Sequence, residues 1–318
     1  MTDSPHISIV MSVYNRSELL PETLESVRAQ TECDWELIVI NDGSSDRDVR
    51  VVLEQFAATE PRARIVHKEN EGLTRALISG CAMARGKYIA RIDAGDIMQP
   101  ERLEAQLALL SAHPNVVLAT CGTEFCGPAW EPLFSVVHGP CANTDQHWVA
   151  SFPKDDRSEE RLYGPTHHGS VMFRRDAYEA AGGYRREFYF GQDWDLWYRL
   201  AEQGRFSGIN TVLYRCRLFP DAISMADDNR QRQIHACARR AFMARQKQES
   251  EHAILAEAAA IQPQKSRSAS CAAGYYFIGA NLLKNGDKRC RRYLWQAIKE
   301  NPFHLRAWLG YLRSVVRR

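Results

Sequence analysis

No run of apolar residues in this sequence approaches the roughly 20 that a helix needs to span a bilayer. The first residues, MTDSPHISIV, lack a basic stretch followed by an apolar segment and a small-residue cleavage site, so no secretion signal is expected. Cysteine occurs nine times but scattered, without pairs repeated at zinc-ligand spacing, and the odd count argues against a disulfide framework. Cys121 and Cys126 alone are half of a zinc pattern and read as buried thiols. The expected setting is reducing: the cytoplasm, including the inner face of a membrane as a peripheral protein. An excess of one charge is also missing, with 41 Lys and Arg against 39 Asp and Glu and a net charge of +2, so nucleic acid is not an expected partner. Two phosphate-binding loops are absent as well. Val13 runs into Tyr14-Asn15-Arg16 where a dinucleotide-binding strand would run into G-x-G-x-x-G, and no G-x-x-x-x-G-K-[ST] occurs anywhere. A nicotinamide-dependent dehydrogenase and a P-loop enzyme are thereby excluded.

At 318 residues the chain is long enough to bury a full core without staples. Its first third alternates short apolar runs with helical patterns, the signature of an α/β protein with a doubly wound, mostly parallel sheet and helices on both faces. His6 to Tyr14, Trp35 to Ile40, Arg64 to His67 and Lys87 to Asp93 are the expected strands. Between them, Leu20, Leu24 and Val27 form one helical stripe, and Leu73, Leu77, Cys81 and Ala84 form another. Pro100 opens a helix through Leu110. From Asn115 to about Pro165 the pattern weakens to loops with some strand. His168 to Arg174 reads as a strand, and Asp193 to Gln203 as a helix closed by Gly204. Beyond about Asp221 everything reads as helix, and Ala280 to Leu312 has the look of paired tetratricopeptide-type helices. The expected organisation is a domain over 1–220, with halves 1–115 and 116–220, and a helical appendage over 221–318.

Several of the strands end in polar residues, and in open parallel sheets ligands bind at that edge. Ser12, Tyr14 and Asp42 lie at the ends of the first two strands, where an aromatic ring suits stacking on a base and a carboxylate suits its N–H; a strand-end Tyr and a turn Asp are the plainer reading. Asp93 and Asp96 follow the fourth strand, and paired carboxylates suit a hard divalent ion, although Asp96 also fits as a turn residue before the Pro100 helix. Arg75 and Arg91 add positive charge nearby. Gln192-Asp193-Trp194-Asp195 opens a helix, so that one acid faces a pocket walled by Trp194 and Trp197, or both acids simply complement the helix dipole. Spacing alone does not choose. His167 and His168 are placed to hydrogen-bond a phosphate or an acceptor, or to serve as structural histidines.

Taken together, ISIVMSVYNR, ELIVINDGSSD, NEGLTRALISGCAMARGKYIARIDAGD, PERLEAQ, HHGSVMFRRDAYEAAGGY and QDWDLWYRL resemble the family 2 glycosyltransferases of bacteria, across most of Ile7 to Leu213. The resemblance implies a glycosyltransferase-A fold and a single displacement that inverts the anomeric carbon. It implies a nucleotide diphosphate donor, a UDP-sugar by family habit, and as acceptor a hydroxyl of a glycan or lipid-linked molecule of the cell envelope. Carried over residue by residue, Asp193 matches the general base, and Tyr14 and Asp42 match the base-binding segment. Ser12, Arg75 and Asp93 complete the expected nucleotide site, and His168, Gln192 and Trp194 the acceptor site. Mn²⁺ or Mg²⁺ is the expected cofactor, on Asp93 and Asp96. Three positions depart from the pattern: Gly95 stands where the family has the second acid of Asp-x-Asp, Gln192 where a Glu is common, and Leu77 where many members carry Arg. The rival reading is a non-catalytic scaffold that keeps the nucleotide pocket. Residues 122–165 are the expected determinant of acceptor choice. Arg239, Arg240, Arg289, Arg291, Arg292, Arg317 and Arg318 make the last third basic, as solvated helix faces or as a contact with an anionic membrane.

Overall fold

A computed structural model of the chain describes residues 5–137, 147–150, 164–221, 229–262 and 268–316. The order is β1 (Ile7–Val13), α1 (Leu20–Arg28), β2 (Trp35–Asp42), α2 (Arg47–Thr59), β3 (Ala63–Lys68), α3 (Leu73–Ala82), β4 (Tyr88–Asp93), β5 (Ile97–Met98) and α4 (Arg102–Ala112). There follow β6 (Val116–Cys126), β7 (Pro132–Val136), β8 (His147–Ala150), β9 (Met172–Arg174), α5 (Arg175–Ala180), α6 (Gln192–Ala201) and β10 (Arg205–Arg217). Five helices close the chain: α7 (Asn229–Gln246), α8 (His252–Ala260), α9 (Ser268–Lys284), α10 (Cys290–Glu300) and α11 (Leu305–Val316).

The sheet runs β3-β2-β1-β4-β9-β6-β10-β5. Its first four strands are parallel, and β9 is antiparallel to both β4 and β6. Strands β1 and β2 are buried along almost their whole length, as continuous apolar runs require when both faces are covered. Helix α3 lies on them through Ala76, Leu77 and Cys81, which share a core with Val10, Ile38 and Ile40. The approach is close enough that a Cβ on Gly80 would sit 2.6 Å from Val10 Cγ1, so any side chain there would displace Val10 in the core. Register sets Ser12 opposite Ile40 and opposite Asp93, which brings the carboxyl ends of β1, β2 and β4 to one edge.

One local expectation changes. His168 to Ser170 form a 3-10 turn, and only Met172–Arg174 is strand. The reason is a side-chain cap: His167 Nδ1 accepts from the Gly169 N–H at 3.0 Å, and Ser170 Oγ donates to the His167 carbonyl at 2.7 Å. The weakly patterned middle contains an eleven-residue strand, β6, whose Thr120, Gly122 and Thr123 interrupt the apolar alternation although Thr120 and Thr123 are buried. Of the expected acceptor-selecting segment, residues 138–146 and 151–163 lie outside the described residues.

The chain divides into two compact units. One comprises Met1–Thr123, Val137–Arg215 and Arg232–Gln262; the other comprises Glu124–Val136, Cys216–Gln231 and Pro263–Arg318. Helices α7 and α8, expected with the C-terminal appendage, therefore group with the first unit. Ile234, Cys237, Phe242 and Ala258 form one apolar cluster with Phe188 and with Tyr198 of α6. In the second unit, Ala297, Ile298 and Ala307 make the contact between α10 and α11, and Tyr293 donates to Glu131 at 2.7 Å. Part of the basic bias is internally engaged: Arg240 pairs with Glu257, Arg289 with Asp287, and Arg291 donates to the Ser314 carbonyl. Arg317 and Arg318 lie outside the described residues. Among the described residues, no helix is long and apolar enough to cross a membrane.

Candidate active site

The loops after β1 and β2 are sewn together by side chains. Asn15 Oδ1 accepts from the Asp46 N–H at 3.0 Å, Ser44 Oγ accepts from the Asn15 N–H at 2.8 Å, and Asp46 Oδ2 accepts from the Ser17 N–H at 3.0 Å. This leaves Tyr14 54% exposed beside Asn15 and Arg16, both in the left-handed region. Asp42 is buried, and its two carboxylate oxygens accept the N–H groups of Glu71 and Gly72 at 3.0 and 2.8 Å, fixing the loop that enters α3. Gly43 follows at φ 68°, and a Cβ there would lie 2.4 Å from the Asn70 nitrogen. Gly43→Ala is therefore expected to cost at least about 1–2 kcal/mol from the left-handed backbone alone, read as a lower midpoint in urea unfolding.

Arg75, on the first turn of α3, is half exposed and pairs with Glu71 at 3.1 Å. Leu77 is wholly buried in the core, so a cation at that position has no counterpart in this fold and Arg75 is the nearest one on the helix.

Below the end of β4 lies a buried arginine. Arg91 is fully enclosed, donates to the Val10 carbonyl at 2.7 Å and binds Asp93 Oδ1 at 2.6 Å. A second, Arg102 at the start of α4, is equally buried and ties the carbonyls of Arg91 and Val171 at 2.9 and 3.0 Å. Burial pushes the Asp93 carboxyl upward, but Arg91 outweighs it and holds Asp93 below the usual carboxylate range.

Gly95 sits at φ 101°, where a Cβ would meet Leu19 at 3.1 Å, and Asp96 N–H closes the turn onto the Asp93 carbonyl at 3.1 Å. The glycine turn thus delivers the second acid one residue late, at Asp96. Tyr214 of β10 spans the pair, accepting from the Asp93 N–H at 3.1 Å and donating to Asp96 Oδ2 at 2.7 Å. His167 Nδ1 stands 4.0 Å from Asp93 Oδ2 and 3.9 Å from Asp96 Oδ2. Burial, with Arg91 and Arg102, lowers the His167 pKa against the pull of Asp93. Because Nδ1 accepts from Gly169, it has no proton to give either carboxylate. Two carboxylates that both approach this neutral ring at about 4 Å suit a divalent cation held on the acids.

Helix α6 starts after Gly191, at φ 67°, and it separates its two acids. Asp195 is buried and held by Arg199 at 2.5 Å, while Arg199 also donates to the carbonyls of Ala181 and Gly183. Asp195 is a structural acid. Among the described residues Asp193 makes no ion pair; burial raises its pKa, the Trp194 N–H and its own oppose this, and the charge of Asp93 adds to the rise against that of Arg91. Gln192 is buried with its Oε1 unpaired, and Trp194 packs against His235 at 4.6 Å between ring centroids. His168 donates to or accepts from Tyr184 at 2.6 Å, packs edge-on to Trp197, and is pushed down to about 3 by burial and Arg91. It is a neutral histidine engaged through Nε2.

Tyr214 and Arg102 were not expected. For Arg91 the signal was present: residues 91 and 93 are two apart on a strand and share a face.

A sequence model of the glycosyl transferase family 2 matches residues 8–182, more than half of the chain. The chain belongs to this family. Among its relatives, EpsE of Bacillus subtilis is 31% identical over 70% of this chain and 76% of its own length. The amylovoran biosynthesis glycosyltransferase AmsE of Erwinia amylovora is 30% identical over 68% and 78%. The protein y4gI of Sinorhizobium fredii is 32% identical over 71% of this chain, which spans only 24% of that longer protein. In fold, this glycosyltransferase is similar to the mannosyltransferase PcManGT of Pyrobaculum calidifontis, solved with GDP-Man and Mn²⁺, at a TM-score of 0.51 and 15% identity over 99% of this chain and 87% of that one. The family match contains the Asp93 and His167 region and ends before Asp193.

Proposed function

We propose that this glycosyltransferase inverts the anomeric carbon of a nucleotide diphosphate sugar, a UDP-sugar in the first instance, and that Asp193 is its general base. The acceptor is a hydroxyl of an envelope glycan or of its lipid-linked precursor, and the name of AmsE, a polysaccharide biosynthesis enzyme, supports that class. The observation that carries the reading is the division of labour on α6: Asp195 is paired with Arg199, whereas Asp193 is half-buried, makes no ion pair among the described residues, and has a raised pKa. A carboxylate raised toward neutrality is a better proton acceptor at working pH than an exposed one. This favours an enzyme over the scaffold alternative.

In the proposed step Asp193 takes the proton of the acceptor hydroxyl, whose oxygen attacks the anomeric carbon from the side opposite the leaving group. The bond from that carbon to the diphosphate oxygen breaks, and the nucleoside diphosphate departs with the electron pair. Tyr14 supplies an exposed ring for the base, and Ser12 and Asp42 border it. Asp93 and Asp96 would hold Mn²⁺ or Mg²⁺, which when bound offsets charge on the diphosphate. Arg75 adds a cation from α3, and Gln192 and Trp194 flank the base on the acceptor side.

Calorimetric titration with uridine, thymidine, guanosine and cytidine diphosphates, each with and without Mn²⁺, tests the donor site: ion-dependent binding of one nucleotide is expected, and no binding at all would overturn it. The anomeric configuration of the product, read by proton NMR, tests inversion. Tyr214→Phe removes the hydroxyl that holds the Asp96 carboxylate and the Asp93 backbone N–H, and should weaken ion-dependent nucleotide binding by about tenfold, as loss of an outer-shell partner commonly does. An unchanged ion dependence would place the cation elsewhere.

A further inference from the structure

Helix α11 is built inside out. The side packed within its unit is small, with Ala307 and Ser314 buried, while Leu305, Leu309, Leu312 and Val315 are 75, 56, 57 and 50% exposed and Trp308 is 38% exposed. These positions recur at the spacing of one helical face, and Phe303 just before the helix is 88% exposed. An apolar face this continuous is an interaction surface. Its charge selects the partner. Residues 301–318 contain four arginines and no acidic residue. Beside the face, a groove of about 420 Å³ between α9, α10 and α11 is floored by Leu283, Leu294 and Leu309 and edged by Lys284, Arg306 and Arg313. A second copy of the same face would bring like charges together, whereas headgroup phosphates above acyl chains match both the cations and the apolar strip.

We propose that the outward face of α11 lies in the interface of a membrane carrying anionic lipid, with Lys284, Arg306 and Arg313 against phosphates and Leu305, Trp308, Leu309, Leu312 and Val315 among the acyl chains. The contact lies flat on one leaflet, since the twelve-residue helix is only about 18 Å long. It brings the protein to the surface where a lipid-linked acceptor resides, yet stands independently of the transferase reading because binding needs no turnover.

The test is co-sedimentation of the full chain with vesicles of phosphatidylcholine alone, or with about a third phosphatidylglycerol. Binding to the anionic vesicles is expected to be at least about tenfold tighter and to weaken with salt. Leu309→Gln with Leu312→Gln, both on the exposed face, should abolish it with the circular dichroism spectrum unchanged; Arg306→Gln with Arg313→Gln should erase the lipid preference. Three results would overturn the proposal: no sedimentation with either vesicle, equal binding to both, or a dimer in gel filtration that the double leucine variant dissolves, which would give the face to a second copy.

Discussion

Asp193→Asn is expected to lower the transfer rate by about 10³-fold while leaving nucleoside diphosphate affinity within about twofold of the parent, because only the proton acceptor is lost. Single-turnover kinetics and calorimetry on the same preparation measure the two quantities. Parent-like rates would remove Asp193 from the reaction. The pH profile carries a second signature. Burial and the charge of Asp93 raise the Asp193 pKa, so the base is progressively protonated as pH falls through a value above the usual aspartate range, and the rate should fall with it. Asp195→Asn behaves differently: it leaves the buried Arg199 without its carboxylate and should show first as instability.

The second large effect is Arg91→Met, expected to cost about 3–5 kcal/mol in urea unfolding, the range for breaking a buried ion pair from one side. The guanidinium also serves the Val10 carbonyl, which would lose its 2.7 Å donor. The sign with pH follows from Asp93. Its pKa in the folded chain is depressed, so the pair contributes stability that is present above the unfolded aspartate value and lost as pH falls through the folded value. The parent should thus lose stability in acid more steeply than Arg91→Met. Equal slopes would mean that Asp93 does not depend on Arg91.

How much of this was legible depends on range. The strands β1, β2 and β4 and the helices α1 and α3 are written in local periodicity, and the sheet edge carrying Ser12, Asp42 and Asp93 follows from it. β6 was hidden because buried threonines and Gly122 read as polar interruptions, although Thr123 finds its partner in Thr166, 43 residues away. Spacing left the candidate base as one of two acids, and the resemblance pointed to Asp193; the physical reason for that choice, Arg199 facing inward one helical turn beyond Asp195, needed the structure. Tyr214 could not be found from pattern, since nothing in β10 marks one tyrosine as the ligand of a turn 118 residues earlier.

That same tyrosine governs when the site comes into being. Its hydroxyl bridges Asp93 and Asp96 across sequence separations of 121 and 118 residues. Chains emerge from the ribosome amino terminus first, at roughly 5–20 residues per second. The parallel half of the sheet is therefore exposed for many seconds before the residue that secures its acidic turn has been made. A chain truncated before β10 should therefore keep Asp93 on Arg91 yet leave Asp96 without the hydroxyl that fixes it.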